Sequence, residues 1–155
     1  MIGGYQIADE PVPSTLARFA VNPLYPMLAW MFAGVWFAFP WFAFNSFAIG
    51  SPTRRTELAW LVGGLVVPTV VGMGLLTARV AGVLPSWSAP YIGLAILVLK
   101  LVVVYAVYVL QSRTVEIYEY YGGKLVNGVL PLLAALYLGH RLIEGLPVVW
   151  QVMLT

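Results

Sequence analysis

The sequence predicts an all-α, polytopic integral membrane protein: a bundle of four transmembrane helices preceded by a short N-terminal interfacial segment. Hydrophobic residues make up 61% of the chain and charged residues only 9%, whereas a soluble domain carries about a quarter charged residues. The apolar residues also form four long blocks, and each block reaches the ~20 residues that a helix needs to cross the hydrocarbon core. No change in composition divides residues 1–155, so we treat them as a single membrane domain.

The interfacial segment covers 14–22, between an acidic, proline-rich stretch and the first apolar block. Its length and position are those of a short helix that lies in the plane of the interface. The N-terminal stretch lacks the basic-then-apolar order of a cleaved signal peptide, so the first apolar block should remain in the mature protein.

Polar breaks that contain proline or glycine separate the four apolar blocks. Backbone groups in lipid need internal hydrogen bonds, so blocks of this length should be helices. The third helix should continue beyond the bilayer to about Tyr121, because no glycine or proline lies between Gly93 and Gly122. The expected transmembrane helices are approximately 24–49, 57–84, 90–111 and 125–150.

Basic residues are concentrated in the first and third loops, as Arg54, Arg55, Arg113 and Lys124. Cytoplasmic loops carry such an excess, so both loops should be cytoplasmic and both termini should face outward. We expect the protein to reside in the inner (cytoplasmic) membrane of a bacterium.

Lys100 interrupts an otherwise apolar third helix about 16 Å from its cytoplasmic end, near the middle of the bilayer. A lysine there costs roughly 3 kcal/mol on insertion scales, so a partner or a hydrated cavity is expected. Side chains lean toward the N-terminus of their own helix, so Lys100 and Glu144, on antiparallel neighbours, lean toward each other. We expect an intramembrane polar cluster of Lys100, His140, Arg141 and Glu144, to which Arg79 can contribute.

The second helix is rich in small residues, which permit close approach of another helix. Gly74 and Ala78 form a small-xxx-small pair, so this helix should be a central packing element or an oligomer contact. The expected helix-packing or oligomer contacts are Gly63, Gly64, Gly72, Gly74 and Ala78.

Aromatic residues cover every side of the first helix, and Pro40 should bend it. Packing against lipid and neighbouring chains is the simpler interpretation. The alternative is a groove for a flat apolar ligand, such as a quinone, a pigment or an acyl chain, beside Trp36, Pro40 and Trp41. Asn45 and Ser46 should form only local hydrogen bonds.

Composition argues against several classes of function. A net charge of +2 is too small and scattered for a nucleic-acid partner. The chain has no cysteine and one histidine, which argues against a metal or haem site. No cofactor is expected, and no catalytic residue can be assigned, so an enzyme is disfavoured.

The favoured function is a non-enzymatic integral membrane subunit that assembles into a homo-oligomer or a larger membrane complex. Its partners would be the lipid bilayer and other membrane subunits. The alternative is a homo-oligomeric channel or transporter with Lys100 lining the path, where a ring of lysines would favour anions. A membrane-embedded lipid-modifying enzyme is the weaker alternative, because one glutamate beside one histidine is a common pair.

Overall fold

The computed structural model describes residues 11–143, with side chains described up to Gly139. It confirms the all-α class: in this part of the chain, the one β-type pairing is an isolated parallel bridge between Val21 and Val126. Two short 3-10 helices cover Thr15–Phe19 and Ser86–Ser88. The α-helices are α1 (Leu24–Ala33), α2 (Val35–Ile49), α3 (Arg54–Val80), α4 (Ala89–Tyr120) and α5 (Val129–Ile143).

The structure has two helices where the sequence predicted one over 24–49. Gly34 separates α1 from α2 with a φ of 80°, and its N–H donates to Trp30 O at 2.9 Å. A positive φ favours glycine because a Cβ would be strained there. At 1.5 Å per residue, α1 is only about 15 Å long, half the thickness of a bilayer core.

The helices α1 and α2 form a hairpin that returns to its starting point. The side chain of Asn45, near the end of α2, bonds the backbone of Val21, which precedes α1. Ser14 N–H also donates to Ala48 O at 3.1 Å. The hairpin therefore enters and leaves the body of the protein at the same end, and the crossing predicted over 24–49 is not supported.

The helices α3 and α4 form an antiparallel pair that is close-packed at two glycines. A Cβ on Gly64 would lie 2.3 Å from Val103 Cγ1, and one on Gly72 would lie 2.8 Å from Ile96 Cδ1. Both helices are long and apolar enough to cross a membrane. The predicted continuation of the third helix is confirmed, because α4 runs without a break to Tyr120.

The helix α5 packs against α1, and the two run in parallel. A Cβ on Gly128 would lie 2.5 Å from Tyr25 Cγ, and one on Gly139 would lie 2.8 Å from Ala33 Cα. The expected neighbour of this helix was α4, so the pairing differs from the prediction. Residues 144–150 of the predicted fourth helix lie outside the described residues. The close-packed seam contains Ala29, Ala33, Ala135 and Gly139.

The predicted interfacial segment contains a 3-10 helix at Thr15–Phe19. Ser14 begins it, since its Oγ accepts the N–H of Leu16 at 3.2 Å. The segment is fixed to the turn after α2, where Val12 N–H donates to Gly50 O at 3.2 Å. A Cβ on Gly50 would lie 1.8 Å from the carbonyl oxygen of Val12, and the φ of Gly50 is 69°. This turn therefore requires glycine.

One end of the molecule thus collects the segment 11–21, the turn 50–53 and the last turns of α4. A cluster of buried side chains joins them, and it includes Ala17, Ile49 and Tyr118. The loop 81–88 lies at the opposite end, between α3 and α4. The sequence placed the N-terminal segment and the first loop on opposite sides, whereas the structure places both at the same end.

Candidate functional site

Glu57 is the most unusual polar group that the structure reveals. It lies in the first turn of α3 and is fully buried, with 0% of its surface exposed. The end of α2, the turn 50–53 and the C-terminal half of α4 enclose it. No local pattern predicts this burial, because the run "TRRTE" has the composition of a polar loop and contains two arginines.

Four neutral groups donate hydrogen bonds to the Glu57 carboxylate. Ser51 Oγ donates to Oε1, and Thr53 Oγ1 donates to the same oxygen at 2.7 Å. Ser46 Oγ donates to Oε2, and Gln111 Nε2 donates to that oxygen at 3.0 Å. Each carboxylate oxygen therefore accepts two hydrogen bonds, and the N-terminus of α3 adds a favourable electrostatic field.

Gln111 connects Glu57 to α2. Its Nε2 lies 2.8 Å from Phe42 O and 2.7 Å from Ser46 Oγ. Its Oε1 accepts a hydrogen bond of 3.2 Å from Asn45 Nδ2. The amide thus joins the C-terminal half of α4 to three polar groups of α2.

Asn45 extends the same contacts to the chain before α1. Its Oδ1 accepts the N–H of Val21 at 3.0 Å, and its Nδ2 donates to Val21 O at 3.0 Å. The expectation of purely local hydrogen bonds is wrong for Asn45. Ser46 Oγ lies 3.1 Å from Phe42 O, the local acceptor that was expected, but its single proton can be donated either to that oxygen or to Glu57 Oε2.

We call this set the Glu57 network. Among the described residues it contains no basic side chain, and the adjacent Arg54 and Arg55 are exposed. Neutral donors can hold a buried carboxylate only if they stay in place, because a buried acceptor that loses them costs roughly 1–3 kcal/mol. The network therefore holds the α1–α2 hairpin against α3 and α4. Its members are Asn45, Ser46, Ser51, Thr53, Glu57 and Gln111.

Lys100 is buried, with 3% of its surface exposed. It lines a groove of about 360 Å³ between α3 and α4. The rest of the groove is apolar, with Gly72 and Leu76 on one side and Ile96 on the other. Burial of Lys100 agrees with the expectation that this lysine does not face lipid.

The predicted partners of Lys100 lie beyond the described side chains. The backbone of His140 and Arg141 belongs to α5, and Glu144 lies outside the described residues. Pairing of Lys100 with Glu144 therefore stays a prediction. Arg79 lies in the last turn of α3, where its Nη2 reaches Ser86 O at 3.5 Å.

The predicted small-residue contacts divide into two groups. Gly64 and Gly72 pack against α4 within the chain, as expected for a central packing element. Gly63 and Gly74 would have open space around an added Cβ, and Ala78 is half-buried. The second group remains available for contact with lipid or another subunit.

A ligand groove beside Trp36, Pro40 and Trp41 stays a prediction. Trp36 and Trp41 pack beside the α1–α5 seam, with Phe37 at 5.5 Å and 5.7 Å between ring centroids. Pro40 is exposed. The indole N–H of Trp36, like that of Trp30, is buried without a hydrogen-bond acceptor in the part of the chain described.

No protein-family model, curated protein or solved structure matches this chain. The contacts of its own residues therefore carry the functional argument.

Proposed function

We propose that the protein is an integral membrane subunit that assembles into a homo-oligomer or a larger membrane complex. The helices α3 and α4 would cross the bilayer, and the α1–α2 hairpin would enter and leave at one surface. The Glu57 network would hold the hairpin in place. No enzymatic activity is proposed.

The exposure of α3 and α4 is the observation that carries this proposal. In their apolar windows only 22% and 28% of the residues are buried, whereas the core helix of a soluble protein would be mostly buried. Large aliphatic side chains such as Val62, Val70 and Leu97 are at least half exposed. An apolar surface of this extent is typical of contact with lipid or another subunit.

The distribution of basic residues supports a cytoplasmic location for one end. The segment 11–21, the turn after α2 and the end of α4 carry five exposed basic side chains, whereas the described residues near the opposite end contribute Arg79. An excess of this kind marks the cytoplasmic side. We therefore propose that the described N-terminal segment is cytoplasmic, in place of the outward orientation expected from the sequence. The five are Arg18, Arg54, Arg55, Arg113 and Lys124.

The hairpin is compatible with a bilayer because its break is covered. Non-helical backbone at membrane depth is tolerated where protein buries it. Gly34 is buried, and its neighbours Ala33 and Val35 are 2% and 1% exposed. The other helices therefore shield the turn from lipid.

Labelling of single cysteines tests this topology, and the chain has no native cysteine to interfere. Thr15→Cys and Lys124→Cys should react with an impermeant maleimide from one side of the membrane, and Ser86→Cys from the other. All three positions are exposed. Labelling of Thr15→Cys from the same side as Ser86→Cys would contradict the hairpin. Release of the whole protein by alkaline carbonate would contradict membrane integration.

An anion channel or transporter is the second candidate, and the position of Lys100 favours it. The lysine lines the groove between α3 and α4, which is continuous with the exposed apolar face. Chloride flux into proteoliposomes that falls in Lys100→Met but persists in Arg79→Gln would support this function. Equal flux in empty liposomes and in proteoliposomes would exclude it.

A further inference from the structure

The geometry points to a binding site for an anionic glycerophospholipid at the basic end, where Arg18 and Arg54 are each stacked on a phenylalanine. This inference rests on the proposed membrane location and specifies a lipid partner for it. The site involves the segment before α1 and the junction of α2 with α3, and it is separate from the Glu57 network.

Each arginine is stacked on a phenylalanine. Arg18 Cζ lies 4.9 Å from the centroid of the Phe19 ring, and Arg54 Cζ lies 5.1 Å from that of Phe47. Phe19 and Phe47 are 51% and 46% exposed. Stacking restricts a guanidinium and leaves the N–H groups on its edge free to bind phosphate oxygens in pairs.

The two stacked pairs belong to segments that are joined directly. Ser14 donates to Ala48 O twice, through its N–H and its Oγ, both at 3.1 Å. Ala17 packs in the same buried cluster as Ala48 and Ile49. Arg18 directly follows Ala17, and Phe47 directly precedes Ala48. Both arginine–phenylalanine pairs therefore lie beside the contact between the segment 11–21 and the end of α2.

No carboxylate of residues 11–139 neutralises the charges at this junction. Within the described ranges, neither Arg18 nor Arg54 is paired with a carboxylate. The one carboxylate near Arg54 in sequence, Glu57, is fully buried in its own network. An exposed guanidinium group suits the phosphate of a lipid headgroup.

The apolar surroundings select a lipid over a soluble phosphate. Val12 and Leu16 are 62% and 42% exposed on the segment that carries Arg18. With the two exposed phenylalanines they form an apolar surface beside the guanidinium groups. Acyl chains could cover that surface while the headgroup phosphate binds the arginines, and the segment would lie at the depth where both are present.

Native mass spectrometry from nanodiscs tests the site. The full chain is placed in phosphatidylcholine discs and in discs that also contain phosphatidylglycerol, and bound phosphatidylglycerol is counted. We expect retention to fall about tenfold for each of Arg18→Gln and Arg54→Gln, because each variant loses charge-assisted hydrogen bonds to the phosphate. Arg113→Gln is the matched control, because Arg113 is exposed at the same end and has no aromatic partner in the described residues.

The outcomes separate the alternatives. Equal retention of both lipids by the wild-type chain would overturn the inference, as would an equal loss in Arg113→Gln, which indicates a diffuse charge effect. If inorganic phosphate in phosphatidylcholine discs raises thermal stability as much as phosphatidylglycerol does, the ligand is soluble phosphate and the lipid assignment is wrong. The proposed function is tested separately, by cysteine labelling and carbonate extraction, and the results of those two experiments do not depend on lipid charge.

Discussion

Each oxygen of the Glu57 carboxylate accepts two hydrogen bonds from hydroxyl or amide groups. Gln111 differs from the three hydroxyl donors because its NH₂ group cannot accept a hydrogen bond. Ser51 and Thr53 can rotate their hydroxyls and accept instead. An NH₂ group could therefore replace Oε1, which contacts Ser51 and Thr53, but not Oε2, which contacts Gln111.

Glu57→Gln should be tolerated much better than Glu57→Leu. A glutamine can direct its carbonyl oxygen to Gln111 and its NH₂ group to Ser51 and Thr53, so that all groups remain bonded. Leucine leaves the buried amide and hydroxyls without their acceptor, and we expect it to cost roughly 1–3 kcal/mol more than glutamine. The measurement is unfolding in lipid nanodiscs, followed by heat or denaturant.

Glu116→Gln is the control for that pair, because Glu116 is an exposed carboxylate on α4. Its effect should stay within about 0.5 kcal/mol. Equal loss of stability in Glu57→Gln and Glu57→Leu would show that the carboxylate charge, and not the hydrogen-bond pattern, is what the site requires.

The pairing of Lys100 with Glu144 predicts non-additive effects. Removal of one member of a buried ion pair typically costs ~3–5 kcal/mol, and apolar replacement of both can be near neutral. Lys100→Met and Glu144→Leu should each lower thermal stability, and the double variant should recover part of the loss. Simple addition of the two single effects would mean that the residues do not interact.

Lys100 and Glu57 show which buried charged residues a single sequence can identify. The burial of Lys100 followed from one charge within an apolar run, which is a local signal. Glu57 follows two arginines in a polar stretch, and its partners Ser46 and Gln111 lie 11 and 54 residues away. Its burial depends on tertiary contacts that no local pattern contains.

At the scale of elements, Gly63 and Gly64 provide a matched test of the α3–α4 pair. An added methyl group at Gly64 would overlap Val103, whereas one at Gly63 has open space. Gly64→Ala should therefore cost about 1–3 kcal/mol through overpacking. Gly63→Ala should stabilise the isolated subunit by up to ~1 kcal/mol, the difference in helix propensity.

Thermal unfolding of the two variants in nanodiscs measures this difference. A loss of assembly in Gly63→Ala, with an intact subunit, would identify Gly63 as an oligomer contact. Similar destabilisation by both substitutions would contradict the close approach of α4 to one face of α3.

Helices were easier to predict than their connection. Apolar blocks and the absence of breakers indicated α3 and the full length of α4. The break at Gly34 was not predicted, because one glycine within "FAGVWF" occurs in an entirely apolar context. What ends α1 there is the packing of Ala33 against Gly139, 106 positions further along the chain, together with the return of Asn45 to Val21.

At the scale of the whole molecule, we propose that the exposed apolar faces of α3 and α4 contact both lipid and another subunit. Gly63, Gly74 and Gly93 lie on these helices with open space around them, which would allow another helix to approach closely. Lipid alone does not require small residues at such positions.

We therefore expect the protein to be more than a monomer in the membrane. Native mass measurement in mild lipid nanodiscs should give a multiple of the 17.0 kDa subunit or a complex with another membrane protein. A single-subunit mass, with no partner retained under the mildest extraction, is the result that would reject assembly.

The closure of the hairpin by Gln111 also sets an order of events during synthesis. A chain that has emerged only to residue 100 already contains α1, α2 and α3, yet it lacks Gln111, which bonds Asn45 across 66 positions. Tyr25 finds its partner Asn127 across 102 positions. The polar side chains of the hairpin therefore lack these hydrogen-bond partners until most of the chain has been synthesised. A nascent chain stalled between α3 and α4 should consequently be a preferred substrate for membrane quality-control proteases.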